Sequence, residues 1–193
     1  MKSVTIHDTF RRNGQLSQIA LENGLSNLAM CMSHLRALPY GRNANRKDPS
    51  LVFIEGKGTC SSKHAALKTI AMEQELHHVK LVLCIYKMTS HNTPGIGSHI
   101  NNAHLEFIPE AHCYLDIDGE KIDLTTASSS LERIENDILH EEIISPDQVS
   151  EYKVNTHKKY VQNWLSSEKI EKTFEEVWSI REGCIASLSS INI

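Results

Sequence analysis

Gly58-Thr59-Cys60-Ser61-Ser62-Lys63-His64-Ala65-Ala66-Leu67 decides how this chain is built. A glycine-containing turn delivers a cysteine to the first turn of a helix. That helix is predicted to run from Thr59 or Cys60 to Glu75, with Ala66, Leu67, Ile70, Ala71 and Met72 facing inward. A cysteine placed there sits beside unpaired amides and the positive end of the helix dipole, and both favour the thiolate.

A second stretch completes the pattern: His112-Cys113-Tyr114-Leu115-Asp116-Ile117-Asp118-Gly119-Glu120-Lys121-Ile122-Asp123-Leu124-Thr125. Asp118-Gly119 is a strong two-residue hairpin signal. It pairs Ile117 with Glu120 and Asp116 with Lys121. In that register His112 lies opposite position 125 and diagonal to Asp123, on the same face and within reach of it. Cys113, its neighbour on the strand, points the other way into the core. His104 and Asp116 are the rival histidine and carboxylate. His104 lacks a hairpin carboxylate at the right distance.

Working outward, Gln15 to Leu38 has an apolar helical face, interrupted by Gly24, and Pro39 ends it. Tyr40 to Ser50 is a polar loop. Leu51-Val52-Phe53-Ile54 reads as a short strand. Val79 to Met88 is apolar on both faces, with Val79, Leu81, Leu83 and Ile85 on one and Val82, Cys84 and Tyr86 on the other. That marks a central strand. His91 to Asn102 is a long loop able to cover a cleft. Leu105–Phe107, Ala111–Ile117 and Lys121–Leu124 read as strands. The remaining third is predicted to be mostly helical, with starts at Ser145-Pro146-Asp147-Gln148 and at the capping box Thr173-Phe174-Glu175-Glu176. This order predicts a single α+β domain over 1–193. Its core is about 51–126, and the helical segments 13–38 and 130–193 pack on it.

The composition is that of a globular chain: 193 residues, 40% hydrophobic and 23% charged. The net charge of −4 argues against nucleic acid as partner. The cluster Arg42, Arg46, Lys47 reads as a solvated loop. No run has the roughly 20 apolar residues of a membrane span, and Met1 to Arg12 lacks the apolar core of a signal peptide. Five cysteines without short-range pattern then suggest reduced thiols in the cytoplasm.

Cysteine at a helix start, then histidine, then Ile122-Asp123-Leu124-Thr125, resembles the transglutaminase-like superfamily over about residues 51–126. That resemblance implies a papain-like cysteine-protease fold in a small bacterial protein, with a Cys-His-Asp triad. Cys60 would be the nucleophile, His112 the general base and acid, and Asp123 the orienting carboxylate. It implies thiol-dependent hydrolysis or acyl transfer on a peptide, protein or small amide, without metal or cofactor. It also implies an oxyanion hole made by the Cys60 N–H and a side chain upstream, with Tyr40, Asn43 and Asn45 as candidates. Thr59 and His64 are the supporting residues around the cysteine. Relatives often carry tryptophan where this chain has Ser61, Cys113 or Tyr114. It also lacks the calcium loop and β-domains of crosslinking transglutaminases, so protein crosslinking is not the expected activity.

Two other classes compete. One is a non-catalytic binding or scaffold module of the same fold. The other is a metal-dependent hydrolase using Cys60, His64 and His112, with further ligands drawn from His77, His78 or His104.

Overall fold

The computed structural model describes residues 5–190. The readings of 1–193 and of the first twelve residues reach outside that range. In chain order the elements are α1 (Gln15–Glu22), α2 (Leu28–Ala37), α3 (Leu51–Ile54), α4 (Cys60–Glu73), β1 (Val79–Met88), α5 (His99–Asn102), β2 (Ile108–Ile117), β3 (Glu120–Ile122), β4 (Ile138–Ile144), α6 (Glu151–Ser167) and α7 (Phe174–Ser190). The chain is α+β, with one antiparallel sheet in the order β3-β2-β1-β4.

The doubly apolar β1 is central, between β2 and β4, as its pattern requires. Val79, Leu81, Leu83 and Ile85 join a core with Leu16, Leu28, Leu35, Ala66, Leu67 and Ile70 from α1, α2 and α4. On the other face, Val82, Cys84, Tyr86 and Met88 join Ile100, Val161 and Val177 from α5, α6 and α7. The hairpin register is the predicted one: Ile117 opposite Glu120 and Asp116 opposite Lys121. Asp118 (φ 54°) and Gly119 (φ 91°) both take the left-handed conformation that such a turn needs.

Several predicted elements differ. Leu51–Ile54 is a helical turn, not a strand. The Asp48 carboxylate accepts hydrogen bonds from the Ser50 amide and hydroxyl and starts the turn. Val52 and Phe53 are then buried while Ile54 is 68% exposed. A four-residue apolar run does not distinguish strand from helix. Leu105–Phe107 lies outside the strands, and β2 begins at Ile108. Met72 is exposed rather than inward. Within the predicted helical third lies β4, an edge strand whose sequence ILHEEII leaves His140 and Glu141 exposed and Glu142 half-buried. Gly24 does separate two helices. The His91–Asn102 loop contains α5 and buries Ile96 and Ile100, so it is anchored to the core.

α4 carries the cysteine, and two local devices fix where it starts. The Thr59 hydroxyl accepts from the Ser62 N–H, and the Ser62 hydroxyl accepts from the Thr59 N–H. Gly58 leaves no room for a side chain: a Cβ there would lie 2.8 Å from Lys63 Cγ and 3.0 Å from Ser62 Oγ. Lys63 cannot yield easily, because its ammonium is buried between the Leu38 and Thr125 carbonyls, at 2.6 and 2.7 Å. Gly58→Ala is therefore expected to destabilise the fold by about 1–3 kcal/mol, the usual cost of overpacking. For a chain of this length that lowers Tm by roughly 5 °C. An unchanged thermal melt would show that the turn adapts.

Candidate active site

β3 ends at Ile122 and pairs only with Leu115–Ile117 of β2. The rest of that edge of β2 is left without a strand, and the start of α4 occupies the gap. The Cys113 N–H donates to the Cys60 thiol there, and His112 shares a hydrogen bond with it. His112 stands opposite Cys84 of β1 and packs edge-on against Tyr86. Its Nε2 lies 3.1 Å from Asp123 Oδ2, which leaves Nδ1 to face the sulfur. Asp123 Oδ1 accepts from the Thr125 amide at 2.8 Å and hydroxyl at 2.5 Å, so the carboxylate is held in one orientation. Cys60 at the start of α4, His112 on β2 and Asp123 in the segment just after β3, rather than on the predicted Lys121–Leu124 strand, are thus brought together. The rivals lie elsewhere: Asp116 accepts from the Gly119 amide in the hairpin turn, and His104 is exposed.

The electrostatics single out one of five free cysteines. Burial pushes the Cys31 and Cys84 thiols up to about 12 and Cys184 to about 11, and it raises Cys113. Burial acts on Cys60 in the same direction, but the Lys153 ammonium and His112 outweigh it and bring the thiol down to about 5. Burial opposes a charge on His112, yet Asp123 and the Cys60 thiolate hold its pKa well above the ordinary imidazole value. Asp123 likewise resists burial: His112 beside it keeps the carboxyl well below the usual range. The site is a buried thiolate–imidazolium pair with a carboxylate behind it.

Lys153 is the residue that sequence reading missed. It lies on α6, buried, with Nζ 3.5 Å from Cys60 Sγ and 2.7 Å from Ser61 Oγ. Burial opposes its charge, but neighbours including Cys60 and Glu110 hold its pKa above the ordinary lysine value. Ser61, next to the cysteine, is the acceptor that aims this ammonium at the sulfur. Glu110 was also missed. It lies two residues before His112 on β2, is buried, and forms a two-pronged ion pair with Arg181 of α7, Nε to Oε2 at 2.7 Å. Strand periodicity carries a signal for Glu110, which shares a face with His112. Lys153 has none, because α6 approaches Cys60 only in three dimensions.

The supporting residues resolve into distinct jobs. His64, fully buried, donates from Nδ1 to the Cys60 carbonyl at 2.6 Å and accepts the Leu124 N–H at Nε2 at 2.8 Å. Burial pulls its pKa down to about 4, so it is neutral in that role. It ties the start of α4 to the segment that carries Asp123. With both nitrogens occupied it cannot ligate a metal. Among the described residues no group of three potential ligands is placed to hold one, and the Cys60–His64–His112 metal reading fails on that geometry. Thr59 caps the helix through Ser62 and so positions Cys60 indirectly.

Of the three oxyanion candidates, Asn45 lines neither cavity that opens on Cys60, Asn43 lines only the smaller, and Tyr40 lines both. Tyr40 pairs in a parallel bridge with Gly58. Asn43 Nδ2 is committed to the Glu55 carboxylate and the Lys57 carbonyl, both at 3.0 Å. Asn45 is an exposed turn residue accepting from the Lys47 amide. Asn45 belongs to its own turn, and the Asn43 amide nitrogen already has partners within the loop.

Two cavities meet at Cys60. The larger, about 610 Å³, holds His112 and Asp123 and is walled by Tyr86, Met88, Ile134 and Leu188, with Asn92, Thr93 and Pro94 of the long loop. The smaller, about 240 Å³, holds Lys153, Ser61 and Arg181.

Known protein families, characterised proteins and solved structures offer no match to this chain. Among the described residues no helix is long and apolar enough to cross a membrane.

Proposed function

We propose that this protein is a thiol-dependent hydrolase or acyltransferase on a papain-like core, acting on an amide or ester inside the cytoplasm. The observation that carries this reading is the alignment of Cys60, His112 and Asp123, with only the Cys60 thiol lowered among five. A helix that begins at the cysteine and packs on an antiparallel sheet that bears the histidine, with the aspartate just past its edge strand, supports the papain-like arrangement and the transglutaminase-like resemblance.

The chemistry follows from the geometry. The Cys60 thiolate attacks the carbonyl carbon and a C–S bond forms. The carbonyl oxygen takes the electron pair and becomes an oxyanion. The Cys60 N–H at the helix start is the donor that the helix offers to it, and Tyr40 forms the adjoining wall. As the carbonyl re-forms, the bond to the leaving group breaks and the His112 imidazolium gives that group its proton. Neutral His112 then takes a proton from water or an amine, which attacks the thioester and releases the acyl product.

The test is the pH profile of iodoacetamide alkylation at Cys60, read by mass spectrometry, together with capture of an acyl adduct from an activated ester. Alkylation should be half-maximal near pH 5, where the thiol ionises, and the adduct should vanish in Cys60→Ala. Alkylation that begins only near an ordinary thiol pKa of about 8.5, with no acyl adduct, would remove the reading.

A further inference from the structure

The two cavities at Cys60 differ in charge, and that difference bears on the substrate. His112 and Asp123 line only the larger one. The leaving group must lie within reach of His112, so it occupies the larger, mainly apolar cavity. The acyl part is then directed to the smaller one.

The smaller cavity is lined by the cations Arg42, Arg46, Lys153, Lys158 and Arg181 and by the carboxylates Glu110 and Glu182. Both carboxylates are already engaged: Glu110 by Arg181, and Glu182 by Arg42 at 2.7 Å and by Arg181 at 2.7 Å. Arg46 and Lys158 form no ion pair among the described residues. Lys158 is held over the Trp178 ring at 5.6 Å, with Arg181 over the same ring at 5.4 Å. Lys153 is paired with the thiolate itself.

That last pairing does not survive the reaction. Forming the thioester consumes the negative charge on sulfur. The buried ammonium would then lose the anion it touches, and Glu110, the carboxylate that also supports its charge, is already committed to Arg181. Ser61 Oγ offers a dipole but no charge. The oxyanion is negative only while the tetrahedral intermediate lasts, whereas the acyl-enzyme must persist until water or an amine arrives. A negative group carried by the acyl part would restore the balance for that whole period.

Resting on the acyl-transfer reading above, we propose that the smaller cavity selects an acyl group bearing an anionic substituent, a carboxylate or phosphate, held by Lys153 at its inner end and by Arg46 and Lys158 at its rim. The site would therefore discriminate for anionic acyl donors over neutral ones of the same size.

The test compares alkylation of Cys60 in the full chain by iodoacetate and by iodoacetamide, an anionic and a neutral reagent of nearly equal size. The iodoacetate-to-iodoacetamide rate ratio should exceed that of a small free thiol by about tenfold or more at low salt, and fall in high salt as the rim charges are screened. It should drop about tenfold in the Arg46→Gln, Lys158→Gln double variant, whose two changes lie on the exposed rim. Succinate and inorganic phosphate should protect Cys60 from iodoacetamide, and the better protector identifies the anionic group. A ratio no higher than the free thiol's and unmoved by the double variant, with protection by neither anion, would overturn the inference. The two readings separate cleanly. Slow reaction with both reagents at neutral pH would defeat the activated thiol, whereas fast iodoacetamide with disfavoured iodoacetate would defeat the anionic cavity alone.

Discussion

Replacing Lys153 by methionine should silence Cys60 at low pH while leaving it reactive in alkali. In the native site burial pushes the thiol up, and Lys153 is the largest of the influences that bring it down to about 5. With the ammonium removed, burial meets only His112 and the Cys113 amide. An opposite charge at this distance is worth about 1–3 pKa units. The sign follows directly: a raised pKa removes thiolate at every pH below it. At pH 6 the alkylation rate should therefore fall by roughly 2-fold for a one-unit shift and by up to about 100-fold for a three-unit shift. Above the variant's own pKa the order reverses in part, because a more basic thiolate is the better nucleophile. The two pH–rate curves should converge near pH 9–10. A uniform loss at all pH values would instead mean that Lys153 shapes access to the sulfur rather than its ionisation. Methionine keeps the length of the side chain and leaves no unpaired charge, so the fold should persist. Ser61 loses its donor, but its hydroxyl still has Cys60 and Cys113 as neighbours.

This prediction rests on the residue that sequence reading had no means of finding. What was legible has short-range causes. Thr59 and Gly58 set the helix start through contacts within five residues of the cysteine. Asp118-Gly119 fixed the hairpin register, and with it the approach of Asp123 to His112. The apolar faces of β1 announced its central place. What was illegible depends on distance along the chain. Lys153 is 93 residues from Cys60, and on α6 it is one lysine among several, with nothing local to mark it as buried. Arg181 reaches Glu110 across 71 residues in the same way. The strand β4 escaped notice because an edge strand with one solvated face carries charges where a central strand carries valine and isoleucine. Asn43 and Asn45 were drawn toward the site by their position before the cysteine. Backbone carbonyls and a glutamate inside their own loop claim Asn43 instead, and that local competition is strong for asparagine in a turn.

The histidine should show a different fingerprint from the lysine. On the proposed reading His112 both sustains the thiolate and carries the proton to the leaving group, whereas Lys153 contacts the sulfur and Ser61. His112→Ala should therefore cost about 10²–10⁴-fold in turnover, the usual worth of a general acid–base group. The loss should depend on the leaving group. An amine must be protonated as it departs, but a nitrophenolate leaves unaided. For amide and nitrophenyl ester donors with the same acyl part, the variant should lose at least tenfold more activity on the amide. Alkylation by iodoacetamide needs no leaving-group proton, so it should retain more of its rate than amide turnover does, with Lys153 still supporting the thiolate. Lys153→Met should show the opposite pattern, similar losses on amide and ester at a given pH, since it alters the nucleophile alone. Equal losses on both donors in His112→Ala would confine the histidine to thiolate formation and assign leaving-group protonation to another group or to water. The native pH profile carries the same distinction. His112 is held well above its ordinary pKa by Asp123 and the thiolate, so amide turnover should rise as Cys60 ionises near pH 5 and fall only when the imidazolium loses its proton. Asp123→Asn removes the stronger of those two influences. It should draw the alkaline limb toward neutral pH while the acid limb, set chiefly by Lys153, moves less.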